Sequence, residues 1–217
     1  MIKDLFWRIR YSFIAKKKDK VKATSRAVSE DSFSNIMKDI IQKMDFNKDD
    51  IVLDLGCANA ELLRLIASNI KSGVGFDSVK EMLTTARKNT AGVRNLDFQH
   101  GDMRDLSMFK DKTFTKVVSY SAFHYLNNKT EAFEVIKHIK RICKNGAVVL
   151  IGDLPDDRKG LDQAKGVMDK VSYLLHVRYN REELVDVVTA LGGKARIVEQ
   201  SPSLPHHYQM FDLMIEF

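Results

Sequence analysis

The chain has few cysteines and no long apolar run. Its two cysteines, Cys57 and Cys143, lie in apolar segments, which is typical of reduced thiols in a cytoplasmic protein and argues against a disulfide scaffold. No apolar stretch approaches the roughly 18 residues that a membrane-spanning helix requires. The N-terminus lacks an apolar core followed by a small-residue cleavage site, so we expect no signal peptide. These absences predict a cytoplasmic location.

Two familiar site patterns are missing as well. The fingerprint G-x-G-x-x-G, which binds the pyrophosphate of a dinucleotide, would fall on Gly56, Ala58 and Glu61, and two of its three glycines are absent. The six histidines are scattered, and His206-His207 has no carboxylate partner at ligand spacing. The sequence therefore predicts neither a dinucleotide site nor a metal site.

The composition and the element pattern indicate a single α/β domain. The chain has 217 residues, of which 44% are apolar and 29% charged, with a net charge of +6, and this length can bury a sizeable core. From residue 51 onward strands alternate with helices, which predicts a mostly parallel sheet. The predicted strands are 51–55, 73–77, 96–100, 116–120, 146–152, 194–200 and 210–217, the last two antiparallel, and the predicted helices are 60–70, 79–90, 128–143 and 181–191.

Additional helices should flank this core. Residues 1–20 have the pattern of a basic amphipathic helix, and a second helix should have Ser29 at its N-cap and run to Met44. A further helix is predicted over 158–177, and Asn180 should cap the helix that follows. We divide the chain into an N-terminal helical cap (1–45), a cofactor-binding core (50–153), a helical insertion (154–180) and a last helix with edge strands (181–217).

Three aspartates come at the ends of three successive predicted strands: Asp54, Asp77 and Asp102. The carboxyl ends of parallel strands meet at one edge of a sheet, where ligands bind. A pyrophosphate beside Asp54 would bring like charges together in a partly desolvated crevice. A cofactor that carries an ammonium and a sulfonium has no such conflict. The charge pattern therefore favours S-adenosylmethionine over a dinucleotide.

The segments around these acids form a set of motifs. They are Val52–Cys57, Gly73–Asp77 and Gly101–Met103, with looser matches at Phe114, Val117–Ser119 and Arg141–Gly146. In these motifs the chain resembles the class I S-adenosylmethionine-dependent methyltransferases, over roughly residues 50 to 153. The resemblance implies a Rossmann-like three-layer αβα sandwich with a seven-stranded, mostly parallel sheet in the order 3-2-1-4-5-7-6. It also implies methyl transfer to an oxygen or nitrogen of a small-molecule acceptor.

The resemblance assigns cofactor roles to individual residues. Asp54 and Gly56 would line the methionine part, Asp77 would accept hydrogen bonds from the ribose hydroxyls, and the adenine amino group would donate to Asp102. Two methionines would flank the adenine ring, and a serine after the fourth strand would meet the amino end of the cofactor. The residues expected to bind the cofactor are Asp54, Gly56, Cys57, Asp77, Ser78, Met82, Asp102, Met103 and Ser119.

The first turn departs from the family pattern at two positions. Where the family commonly has three glycines, this chain has Ala58 and Ala60 at the second and third. Alanine disfavours positive φ. Either the turn is ordinary in φ, or cofactor binding is weakened, and a catalytically silent S-adenosylmethionine-binding protein of the same fold remains an alternative.

The catalytic candidates follow the fourth strand, in Ser119–Tyr125. His124 is the candidate general base because an imidazole titrates in a suitable range, and Tyr120 is the second catalytic candidate. Tyr125 and Asp153 are further choices. The competing interpretation of His124 is that it caps or packs against the next helix.

The acceptor should be recognised by the helices outside the shared core, in residues 1–45 and 158–177, with the N-terminal helices over the active cleft. Trp7, Tyr11 and Phe13 could form an aromatic lid, and the basic residues of the same segment could attract an anionic acceptor: Arg8, Arg10 and Lys16–Lys18. Residues 1–20 could instead make a weak membrane-surface contact or simply pack on the core.

Three other functions are weighed against small-molecule methylation. Nucleic acid is disfavoured because the loop after the fourth strand has neither an Asn/Asp-Pro-Pro-aromatic sequence nor a Pro-Cys pair, and RNA methylation is kept as the alternative. A nicotinamide-dependent oxidoreductase is disfavoured by Asp54 and the missing glycines. The third function is that of a catalytically silent S-adenosylmethionine-binding protein. The sequence carries no signal for an oligomeric state.

Overall fold

A seven-stranded sheet forms the centre of the protein in a computed structural model that describes residues 7, 9–13, 29–159, 170 and 174–217. The strands follow the order β3-β2-β1-β4-β5-β7-β6, which confirms the predicted order. Neighbours among β1 to β5 pair in parallel, whereas β7 runs antiparallel to both β5 and β6. The strands are β1 (Ile51–Leu55), β2 (Ser72–Asp77), β3 (Leu96–His100), β4 (Phe114–Tyr120), β5 (Cys143–Pro155), β6 (Lys194–Glu199) and β7 (Met210–Glu216).

In the part of the chain that the structure describes, five α-helices surround the sheet: α1 (Glu30–Met44), α2 (Glu61–Ile66), α3 (Lys80–Asn89), α4 (Lys129–Ile142) and α5 (Arg181–Ala190). Two of the predicted N-caps are confirmed, because Ser29 Oγ accepts a hydrogen bond from the amide of Ser32 and the Asn180 side chain accepts one from Glu183. Residues 9–13 are also helical. Within the described ranges, no helix has the length and apolar character to cross a bilayer.

The helices cover the two faces of the sheet and create two apolar cores. On one face α4 and α5 pack on β1, β4, β5 and β7, with Ile136, Ile139 and Val188 fully buried. On the other face α1, α2 and α3 pack on the opposite side chains of the same strands. Strand residues alternate accordingly, so that Val52 faces the second core and Leu53 the first. Apolar burial on both faces is what the continuous apolar runs of the strands require.

The structure corrects two predicted elements at their ends. The strand predicted at 146–152 runs from Cys143 to Pro155, because β4 and β7 pair with it on either side over a longer stretch. Most of the helix predicted over 158–177 lies outside the described residues. At its described ends, residues 158 and 159 form a turn and a bend, and residues 176 and 177 are not helical. There the Val177 amide donates instead to the carbonyl of His124 at 3.1 Å.

Candidate active site

A cavity opens where β1, β2 and β4 end, and the turn after β1 forms its floor. Gly56 has a φ of +83°, and a Cβ at this position would lie 2.8 Å from the Cβ of Ala122. Ala58 and Ala60 also have positive φ, of 46° and 65°. The turn is therefore not ordinary in φ: two alanines adopt a glycine-like conformation, at a cost of roughly 1–2 kcal/mol each.

The carboxylate of Asp77 holds this turn in place. It accepts hydrogen bonds from the backbone amides of Ala58 at 2.9 Å and Val79 at 2.8 Å, one at each oxygen. It therefore connects the turn after β1 with the start of α3. Burial raises the pKa of Asp77, and the hydrogen bonds from Val79 and Ala58 oppose that rise. Each carboxylate oxygen has a second lone pair for a ligand hydroxyl.

Asp54 has a different environment. Its side chain lines the cavity and is only 5% exposed. Among the described residues, none donates a hydrogen bond to its carboxylate. Burial, together with the negative charge of Asp77, raises the pKa of Asp54 to about 7. A buried carboxylate without a donor or a cation is costly, and a positively charged ligand group would remove that cost.

Asp102, the third predicted acid, already has a cationic partner. Its Oδ1 accepts from the backbone amide and Nε of Arg104, and its Oδ2 from Nη2 at 2.6 Å. Both residues line the cavity. The Asp102 carboxylate therefore reaches the cavity as part of an ion pair with Arg104.

The other predicted cofactor residues divide into two groups. Cys57, Ser78, Met82 and Met103 line the cavity, as do the residues already described. Burial keeps Cys57 a neutral thiol, because it raises the pKa of that group well above its usual value. Ser119 is not among the described lining residues: it is fully buried and donates to the carbonyl of Leu55 at 3.0 Å.

His124 lies beside the cavity rather than in its wall. It is 1% exposed and does not belong to the described lining. Its ring lies between those of Tyr125 and His176, with centroid distances of 4.2 and 4.3 Å. These ring contacts are with Tyr125 and His176, whereas the competing interpretation of His124 placed it against the next helix, α4. Tyr120, the second candidate, does line the cavity, and its hydroxyl accepts a hydrogen bond from Gln200.

Part of the wall comes from segments N-terminal to β1. Of the three residues predicted to form an aromatic lid, Trp7 and Tyr11 line the cavity, whereas Phe13 is 64% exposed and does not. Of the basic residues thought to attract an anion, Arg10 is exposed, and Arg8 and Lys16–Lys18 lie outside the described residues. The helix α1 belongs to the N-terminal helices that were expected to recognise the acceptor, although the sequence did not single out which of its residues line the cavity. The α1 residues in the lining are Ile36, Met37 and Ile40.

A buried polar network adjoins the ends of β4 and β5. Ser121, which lines the cavity, donates to Asp153 Oδ2 at 2.5 Å, and both residues have positive φ. The Asp153 amide and the Gln200 side chain both donate to Asp212 Oδ1 at 2.8 Å. Strained backbone of this kind concentrates at functional sites. In the part of the chain that the structure describes, no group of three or more His, Cys, Asp or Glu side chains could hold a metal ion.

Comparison with known sequences gives a family for the core of the chain. A family model described as a methyltransferase domain matches residues 52–146, the stretch that contains the turn and the strand ends of the cavity. The protein named "Putative methyltransferase YqeM" of Bacillus subtilis is 26% identical over 99 residues, which cover 46% of this chain and 40% of that protein. The likeness therefore spans less than half the length of this curated relative.

Solved structures match over nearly the whole chain at low identity. The complex between the Trm112 methyltransferase activator of Haloferax volcanii and the "putative methyltransferase" is matched with a TM-score of 0.74 and 18% identity, over 95% of this chain and 96% of that chain. The N-methyltransferase NodS of Bradyrhizobium japonicum, in complex with S-adenosylhomocysteine, has a TM-score of 0.71 and 12% identity, over 96% and 97%. At such identities these structures are similar to this chain in fold.

Proposed function

We propose that this chain, of which residues 52–146 match a methyltransferase domain, is a class I S-adenosylmethionine-dependent methyltransferase and transfers a methyl group from S-adenosylmethionine to an oxygen or nitrogen atom of a small-molecule acceptor. The methyl donor is the cofactor of this family, and it supplies a methyl group activated by the sulfonium. The remaining chemistry is alignment of a nucleophile with that methyl group and removal of a proton where one must be lost.

The observation that carries the proposal is the buried carboxylate of Asp54 in the cavity wall. A side chain with a pKa near 7 and no donor among the described residues fits the ammonium of the donor's methionine part. Gly56, at which an added Cβ would lie 2.8 Å from the Cβ of Ala122, lets the turn after β1 pack closely against the loop after β4. The Asp77 carboxylate, fixed by two backbone amides, is preorganised for the ribose hydroxyls. Met82 and Met103 offer apolar walls for the adenine ring.

The acceptor end would be formed by the loop after β4, α1 and the N-terminal segment. Tyr120, Ser121 and Tyr125 bring hydroxyl groups to the wall, and α1 brings apolar side chains. These hydroxyls can orient an acceptor and accept or pass on its proton. His124 is not placed to touch a ligand directly, so we propose Tyr120 as the catalytic candidate of the pair.

The first test is isothermal titration of the protein with S-adenosylhomocysteine, which carries the same ammonium, and with NAD. We expect S-adenosylhomocysteine to bind and NAD not to bind. Because the ammonium favours ionised Asp54, the ligand must displace a proton below pH about 7, and its affinity should fall by up to about tenfold per pH unit there. Above that pH the affinity should level off.

The Asp54→Asn variant is the matched control for this test. It removes one charged acceptor, which should weaken S-adenosylhomocysteine binding by roughly 10- to 100-fold at pH 8, and it should abolish the pH dependence. Tight NAD binding, or an affinity that does not change with pH in the unmodified protein, would contradict the proposed cofactor site. Binding without methyl transfer from labelled S-adenosylmethionine to any amine or hydroxyl acceptor would favour the silent binding protein.

A further inference from the structure

A large part of the cavity wall is aromatic. Trp7 and Tyr125 lie with ring centroids 4.6 Å apart, and Tyr11 meets Tyr125 edge to face at 5.5 Å. The hydroxyls of the two tyrosines hydrogen bond to each other at 2.5 Å, so the three rings form one surface, and all three line the cavity. Aromatic faces carry partial negative charge and attract organic cations.

The charged residues of the wall have the same preference. Arg104 is the one cationic residue of the lining among those that the structure describes, and its guanidinium is bound to Asp102 through Nε and Nη2. Its Nη1 lies 3.5 Å from Glu131 as well. Among the described lining residues, a carboxylate or phosphate on an acceptor would therefore meet a negative field and a cation that is already paired. The carboxylates of the lining are Asp54, Glu61, Asp77 and Asp102.

A cation of the protein, Arg10, also lies beside Trp7. The guanidinium carbon of Arg10 lies 5.8 Å from the centroid of the Trp7 ring, within the range of a cation–π contact. Arg10 is exposed and is not part of the lining. Solvent and salt screen its charge from the cavity, so it does not supply the cation that an anionic acceptor would need.

We propose that the acceptor is an amine on an aromatic or apolar skeleton, held against Trp7, Tyr11 and Tyr125, and that the cavity rejects anionic acceptors. The inference rests on the proposed function, whose site it shares, and it replaces the anionic acceptor expected from the basic N-terminal segment. The bound ammonium first releases one proton to water. The nitrogen lone pair then forms the N–C bond to the methyl carbon while the C–S bond breaks and its electron pair stays on sulfur. The products are an N-methylammonium ion and a neutral thioether, so charge balances without a further base.

The chain offers a direct probe of this surface, because Trp7 is its only tryptophan. We would titrate the protein, saturated with S-adenosylhomocysteine, with phenethylamine and with 3-phenylpropanoate, and follow tryptophan fluorescence. The two probes share the ring and the two-carbon linker and differ in the sign of the charge. We expect the amine to bind at least about tenfold more tightly than the acid.

Three variants identify where the probe binds. Tyr125→Leu removes the ring and should weaken phenethylamine binding at least about fivefold, whereas Tyr125→Phe keeps the ring and should largely preserve it. Tyr208→Leu alters a tyrosine in the edge loop outside the lining and should have no effect. Circular dichroism would establish that each variant is folded.

Three results would overturn the proposed acceptor. They are equal or tighter binding of the acid, no binding of either probe, and an equal loss in the Tyr125→Leu and Tyr208→Leu variants. Calorimetric binding of S-adenosylhomocysteine is measured separately, so a protein that binds it and still fails the probe test keeps its proposed function and loses only the amine acceptor.

Discussion

Asp54 is the residue at which ligand binding and folding stability should oppose each other. Its carboxylate is buried beside Asp77, and its pKa is raised from 3.8 to about 7. Between pH about 4 and 7 the folded state therefore holds a proton that the unfolded state releases. The free energy of unfolding falls as the pH rises through this window, and above it the full cost of the buried charge remains.

We therefore expect Asp54→Asn to stabilise the ligand-free protein. A shift of about three pKa units corresponds to an upper limit of about 4 kcal/mol at pH 8. The gain should shrink as the pH falls toward 5, because the Asp54 carboxyl group of the folded, unmodified protein is then protonated and no longer buries a charge. Urea unfolding at pH 8 and pH 5 measures this, and a variant that loses stability at pH 8 would contradict it.

Asp50, just before the same strand, is the matched control. It is also buried, at 4% exposure, but its carboxylate accepts hydrogen bonds from Thr115 Oγ1 at 2.7 Å and from the Asn47 amide at 2.9 Å. Asp50→Asn removes an acceptor that the fold uses and should cost about 1–3 kcal/mol. A stability gain at Asp54, inside β1, and a loss at Asp50, just before β1, would separate a ligand-binding carboxylate from a structural one.

At the scale of elements, the turn between β1 and α2 carries strain that its sequence does not relieve. Ala58→Gly and Ala60→Gly should each stabilise the protein by up to about 1 kcal/mol, because relief of the positive φ outweighs the greater entropy of glycine in the unfolded chain. Chemical denaturation measures the change. Ala67, with a φ of −50°, is the control, and Ala67→Gly should instead destabilise by roughly 0.5–1 kcal/mol. Destabilisation at all three positions would show that the turn is not strained.

The elements also show what a sequence can and cannot predict. The strand ends were predictable because apolar runs that end in Asp54 and Asp77 mark both the strand and its carboxyl edge. The orientation of His124 was not, since its position in a short 3-10 turn depends on packing against His176, which is distant in sequence. The N-terminal helices were expected to meet the acceptor, but the lining residues of α1 could not be named. Apolar spacing identifies only a buried face, and Ile36 and Met37 belong both to the cavity wall and to the core.

For the whole molecule, the strand order was expected from the resemblance to the methyltransferase family, whereas local patterns predicted only a mostly parallel sheet with an antiparallel last pair. The connection between layers did not follow from them. Lys43 on α1 donates to Asp212 on β7 at 2.7 Å, across 169 residues, and also pairs with Asp39. Burial would lower the pKa of Lys43, but the two aspartates outweigh it and raise that pKa. This ion pair attaches the helix that lines the cavity to the antiparallel edge of the sheet.

Removing the cation should therefore cost more than an ordinary salt bridge is worth. Lys43→Met leaves Asp212, which is fully buried, without its ammonium partner, and we expect a loss of about 3–5 kcal/mol in urea unfolding. The double variant Lys43→Met/Asp212→Asn should recover part of that loss because it also removes the stranded charge. Lys137→Met, which breaks an exposed pair with Glu134, should cost less than about 1 kcal/mol. Equal losses for the two lysines would show that the pair does not join the layers, and that α1 is held by its apolar face alone.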